Sequence, residues 1–306
     1  MSRRIRFSIA SAAILLVATT LSCGGTSKEQ TTSDKPTVAV SVLPQSYFVA
    51  RIAGDRVSVL TLVGPGQSPH SYEPSPQQMT RLSKTALWIT TAVEFENALK
   101  PKVSSLYPKL KIADGTKGIV LRSLEAHSHE TESEPKGDEK HEQEGGPDPH
   151  VWLGKQGAKT MSAIIRDELS ALMPSYAAEF GANYDAFAKE VDALFAELAL
   201  SLAPIKGKPV FVYHPAFGYL LDEFGLEQEA VETGGKEPTA KALSSLVREA
   251  KADGAKVIFV QTQFPVAAAK TVAEAIGGAV VPIDDLDPDW AANIRRIGEA
   301  LKAGVR

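Results

Sequence analysis

Short β-branched runs of strand length alternate along this chain with stretches whose apolar residues recur at helical spacing. Thr37-Val38-Ala39-Val40-Ser41-Val42 is the first strand, and a helical segment through Phe48 and Ile52 ends at Gly54. Residues 57–63 form a second strand, stopped by Gly64-Pro65-Gly66. Helix is predicted at 76–84, an apolar strand at 87–92, helix at 94–106, and short strands at Ile112 and at 119–121. Ala158, Met161, Ile164, Ile165, Leu169 and Leu172 mark a helix over 155–173, which Pro174 stops. A longer one follows over 175–203, with Tyr176, Phe180, Tyr184, Phe187, Val191, Leu194, Leu198 and Leu202 as its buried stripe. Strands at 209–213, 256–261 and 279–283 then alternate with helices at 219–224, from 240, at 266–276 and at 290–301.

Strands separated by helices imply βαβ units and parallel sheets with covered faces. The helix at 175–203 would measure roughly 40 Å at about 1.5 Å per residue, more than the width of one small domain. The expected fold is α/β, with two lobes, each a mainly parallel β-sheet flanked by helices, joined by one long rigid helix. The boundaries read as an N-terminal lobe at 37–174, a linking helix at 175–203 and a C-terminal lobe at 204–306. No internal repeat shows by residue identity.

Two stretches stand outside this pattern. Arg3, Arg4 and Arg6 precede a short apolar run, and Leu21-Ser22-Cys23-Gly24 closes it, which reads as a lipoprotein signal over 1–22 with lipid on Cys23. Cys23 is the only cysteine, so there is no disulfide framework and no thiolate cluster. The polar residues 23–36 suit a flexible tether, and the chain is expected to be exported and held on the extracytoplasmic side of a membrane. The second stretch, the acidic loop 125–147, lacks large apolar residues and holds His127, His129 and His141, a composition suited to weak auxiliary metal capture. The net charge of −4 gives no footprint for nucleic acid.

The candidate chemistry lies in the other three of the six histidines: His70, His150 and His214. All three adjoin prolines, in Pro69-His70, Pro149-His150 and His214-Pro215, and so belong to loops or element ends, where imidazoles can be aimed at one point. Alone, each fits a packed or hydrogen-bonding residue as well as a ligand; their coincidence over both halves is what points to a metal. His214 and Asp284 fall at carboxyl ends of predicted strands, and His70 follows one, at the edge where open parallel sheets bind ligands. These four would meet in the cleft between lobes. Three imidazoles and a carboxylate suit Zn2+ in tetrahedral geometry, whereas Mn2+ favours more oxygen. The adjacent Asp285 is a rival to Asp284 at the same turn.

Gly66-Gln67-Ser68-Pro69-His70-Ser71-Tyr72-Glu73-Pro74, Asp148-Pro149-His150-Val151-Trp152-Leu153, Tyr213-His214-Pro215-Ala216-Phe217-Gly218-Tyr219 and Gly235-Lys236-Glu237-Pro238 together resemble the zinc/manganese family of ABC-transporter solute-binding lipoproteins. The resemblance runs from about Thr37 to the C-terminus with the motifs in the family's order, and it is nearest to the zinc-binding members. It implies His70, His150 and His214 as ligands, Asp284 as the carboxylate, and Zn2+ as the transported ligand, with Mn2+ or Fe2+ the alternative. It also implies partnership with a membrane permease and its cytoplasmic ATPase, the binding protein itself being a monomer. One departure stands out. The family has Asp-Pro-Leu where this chain has Asp284-Asp285-Leu286, which leaves Glu237 or water as alternatives for the fourth position.

Two other functions compete with this one. A zinc hydrolase would also use three protein ligands and a water, but the chain has no His-Glu-x-x-His helix and no Gly-x-Ser-x-Gly elbow. The chain is therefore expected not to be an enzyme. An adhesin-type lipoprotein with an incidental metal is the other.

Overall fold

In the computed structural model, which describes residues 35–124, 146–232, 239–264 and 266–305, two four-stranded parallel sheets are wound in the same way. The first contains β1 (Thr37–Val40), β2 (Ser58–Thr61), β3 (Leu87–Thr90) and β4 (Lys111–Asp114), in the order β2-β1-β3-β4. The second contains β5 (Pro209–Val212), β6 (Glu227–Ala230), β7 (Val257–Gln261) and β8 (Ala279–Ile283), in the order β6-β5-β7-β8. The repeat absent from the residue identities is thus present in the topology. In both sheets the connections leave the first strand in one direction and then the other, which opens a crevice at the strands' carboxyl ends.

Helices α1 (Leu43–Ala53), α2 (Pro76–Leu82), α3 (Phe95–Leu106) and α4 (Lys155–Leu172) belong to the first half. Helices α6 (Gly218–Asp222), α7 (Ala240–Ala252), α8 (Ala267–Ala275) and α9 (Trp290–Gly304) belong to the second. Between them runs α5 (Ala177–Leu202), 26 residues and therefore about 39 Å long. Its buried stripe is Phe180, Phe187, Val191, Leu194, Phe195, Leu198 and Leu202. Phe187 clusters with Tyr47 and Phe48 of α1 and Trp290 of α9, at ring-centroid distances of 5.8–6.0 Å, and Trp290 also lies 5.3 Å from Phe48. One apolar core therefore runs through both halves, and residues Lys35–Arg306 form one compact unit.

Strand β5 shows how the second sheet is covered. Val210 and Val212 face the shared core, while Phe211 and Tyr213 face a separate cluster with Leu246, Ile258, Val260 and Val272. That is the two-residue alternation of a strand buried on both faces.

The structure departs from the sequence pattern in two elements. Residues 119–121 were expected as a strand, but they join no ladder and Val120 is 91% exposed. The first sheet ends at β4, and among the described residues between β4 and β5 an isolated bridge joins Ser123 to Pro147. Strand β6 carries no apolar alternation to predict it. As an edge strand it pairs only with β5, so Glu227, Gln228 and Glu229 stay exposed or half-buried.

Candidate metal centre

Each of the three histidines sits on a short, locally determined turn. His70 lies in a single 3-10 turn, Pro69–Ser71, whose start is capped by Ser68 Oγ accepting from the His70 amide at 3.3 Å. His150 opens the turn Val151–Leu153, and Asp148 Oδ1 accepts from its amide at 2.9 Å. His214 lies two residues beyond the end of β5 and is held by Gln261, whose side chain accepts from its amide at 3.3 Å and donates to its carbonyl at 2.8 Å. Gln261 ends β7, so two neighbouring strands fix this one ring.

The Nε2 atoms converge. His70 Nε2 lies 3.1 Å from His214 Nε2, which lies 3.3 Å from His150 Nε2, and one ring nitrogen from each residue falls within a 4.8 Å group. Nitrogens bound tetrahedrally at 2.0–2.1 Å are about 3.3 Å apart, so these spacings match the edges of a zinc polyhedron. On the far side every ring meets a carboxylate. His150 Nδ1 is 2.7 Å from Asp148 Oδ1, His214 Nδ1 makes a very short contact with Glu232 Oε1, and His70 Nδ1 is 3.8 Å from Glu94 Oε2. At His150 and His214 the carboxylate accepts from Nδ1–H and so selects the tautomer whose Nε2 lone pair faces the centre; Glu94 is too far from His70 for a hydrogen bond and acts on it only through charge.

Burial and charge act in opposite directions on these rings. Burial, reinforced by His214 and His150, pulls His70 down to about 3, so it stands neutral. Burial lowers His150 as well, but the charge and hydrogen bond of Asp148, joined by the charges of Asp285 and Glu232, outweigh it and hold that ring above the usual histidine range. The centre is walled by Trp152, edge-on to His150 at 5.3 Å, and by Phe264, stacked on His214 at 4.8 Å.

The carboxylates at the end of β8 divide sharply. Asp284 is half-buried and turned into its own loop, where Oδ1 accepts from Gln263 Nε2 at 2.9 Å and from the Leu286 amide at 2.8 Å. Neither Asp284 nor Asp285 belongs to the group of three converging ring nitrogens. Asp285 is 4% exposed, its Oδ1 is buried without a hydrogen-bond partner, and its electrostatic neighbours include His150 and His214. Burial raises its pKa. Glu237, His127, His129, His141 and Cys23 lie outside the described residues. Sequence reasoning missed Glu94, Asp148, Glu232 and Gln261. Asp148 had a signal, two residues before His150 within a proline-containing stretch; the others come from remote elements.

Two parallel-sheet lobes, one long helix between them and three inward-facing imidazoles in the cleft define the class: a two-lobed α/β binding protein. The chain belongs to the family described as zinc-uptake complex component A, periplasmic, whose model matches residues 38–304. It is 28% identical over 268 residues to the zinc-binding protein AdcA of Streptococcus pyogenes serotype M3, covering 85% of this chain and 52% of that protein. The chain thus spans about half the length of the first curated relatives it matches. It is 27% identical to the high-affinity zinc uptake system protein ZnuA of Yersinia pestis, covering 82% of each. A crystal structure of ZnuA superposes with a TM-score of 0.80 at 30% identity, covering 89% of this chain and all of that one.

Proposed function

We propose that this chain is the extracytoplasmic solute-binding component of a metal ABC transporter, capturing Zn2+ through His70, His150 and His214 and delivering it to a membrane permease coupled to a cytoplasmic ATPase. The observation that carries this is the convergence of three Nε2 atoms at 3.1 and 3.3 Å, with a carboxylate behind each ring. Nitrogen donors in this number favour zinc over manganese, the alternative cargo. The fourth position goes to oxygen. Asp284, which the family pattern offers, has its Oδ1 held by two hydrogen bonds within its own loop, while Asp285 has a buried oxygen without a hydrogen bond, and water fits an open corner.

The lobes are read as 37–174 and 204–306, with 175–203 as the linking helix, and the protein as a monomer that binds without catalysing. Export and a lipid on Cys23 would tether it beside the permease; no helix among the described residues is long and apolar enough to cross a membrane. Cleft closure on metal is expected to be small. The lobes share one core, and Trp152 Nε1 donates to the Asp285 carbonyl while Trp290 Nε1 donates to the Trp152 carbonyl, both at 2.7 Å.

Calorimetric titration of the metal-free protein with Zn2+ and with Mn2+ tests the reading, alongside His150→Ala. One tight zinc site, weaker manganese binding, and a loss of orders of magnitude in the variant are expected. Unchanged zinc affinity in the variant would sink the assignment.

A further inference from the structure

The three rings are held unequally. The side chains of His150 and His214 are 3% and 2% exposed and lie against carboxylates that are themselves buried. His70 is 23% exposed, and the carboxylate behind it, Glu94, is 74% exposed. The open side of the centre is therefore formed by His70 and Glu94. The segment carrying Glu94 is also specially built. Ala92, two residues before it, has φ 63, the only positive φ at a non-glycine among the described residues. A Cβ disfavours that left-handed conformation, and such strain persists only where the surroundings enforce it.

The enforcing group is Glu96, fully buried, whose carboxylate accepts from the Thr91 amide at 2.8 Å and the Ala92 amide at 3.0 Å. A second clamp joins the neighbouring segments: Tyr72, at the end of the His70 turn, meets Phe95, the first residue of α3, edge to face at 4.7 Å. Glu94 is thereby fixed beside His70 while remaining open to solvent.

We propose that Glu94 is the capture carboxylate of this centre: it meets the hydrated divalent cation at the mouth and passes it to His70, and from there to the sealed pair His150 and His214. The inference rests on the metal-binding reading above. A fixed negative charge at a narrow mouth raises the local concentration of a dication and hence its association rate, with a strong dependence on ionic strength. Asp148 and Glu232 cannot serve this purpose, because both carboxylates are buried, 2% and 1% exposed, and never meet a hydrated cation.

The test is Glu94→Gln in the full chain, mixed rapidly with Zn2+ and followed through tryptophan fluorescence, Trp152 lying 5.3 Å from His150. The association rate should fall about three- to tenfold and lose most of its salt dependence. Dissociation into excess chelator should change less than about twofold, and Glu94→Asp, which keeps the charge, should recover most of the rate. An association rate equal to wild type would overturn the proposal, as would a loss confined to dissociation, which would reduce Glu94 to a support for the His70 ring. If the wild type bound no zinc in the calorimeter, the metal-binding reading would fall and this inference with it. Tight wild-type binding with unaltered Glu94→Gln association would remove the inference alone.

Discussion

Asp148→Asn separates the shape of the centre from its charge. Asp148 is buried, and its Oδ1 accepts from the amide of His150 at 2.9 Å and lies 2.7 Å from the Nδ1 of its ring. Asparagine keeps the size and one acceptor oxygen but removes the negative charge. Losing the carboxylate behind a metal-bound imidazole weakens binding by roughly 10–100-fold, or about 1.4–2.7 kcal/mol. A second effect runs the other way. In the wild type burial lowers the ring's proton affinity and Asp148, joined by Asp285 and Glu232, more than reverses it, so His150 keeps its proton to a pH above the usual range. Zinc must expel that proton, so affinity falls as pH drops through the raised value. In the variant burial remains and its main opponent is gone; the ring deprotonates at lower pH, and the fall in affinity begins later. The wild type therefore loses affinity first on acidification, and the gap between the two proteins narrows from about pH 8 to about pH 5. Competition against a chromophoric chelator, corrected for the chelator's own protonation, measures both curves. A constant ratio across that range would refute the reasoning, as would equal affinity at the alkaline end.

Asp285→Asn should weaken zinc binding more than Asp284→Asn, because Asp284 is occupied by Gln263 and Leu286 whereas the buried Oδ1 of Asp285 is free; paired calorimetric titrations decide. Trp290→Phe removes the donor to the Trp152 carbonyl and should lower stability by about 1–3 kcal/mol, read from urea unfolding. Replacing residues 125–145 by a tight turn should leave the zinc affinity within about twofold, because the flanking Leu124 amide and Gly146 carbonyl are already hydrogen-bonded at 2.9 Å and none of the three convergent histidines is removed. A larger loss would mean that the removed stretch supplies a ligand. In the metal-free protein His70 should stay unprotonated down to about pH 4, since burial and its two neighbours pull it to about 3, and histidine-detected NMR across an acid titration checks this.

Much of the architecture was legible in the residues. The β-branched runs, the helical periods and the uninterrupted stripe from Phe180 to Leu202 are local patterns, and they dictated two α/β halves and one long helix. The proline-flanked histidines were legible for a similar reason, since proline acts on its immediate neighbours. Tertiary structure decided the rest. Strand β6 exists because β5 offers it an edge, and its polar residues announce nothing. Asp284 and Asp285 are chemically identical neighbours, so only the packing of the loop after β8 determines which carboxylate is hydrogen-bonded and which is buried without a partner on its Oδ1. Glu232 and Glu94 stand behind rings carried by other elements, and no local spacing encodes a contact across a fold. Sequence by itself thus named the three histidines that converge and the layout. The support behind each ring, the unequal exposure of the three, and the direction from which a cation reaches them were set by long-range packing, because burial and electrostatic field are properties of the assembled lobes rather than of any one segment.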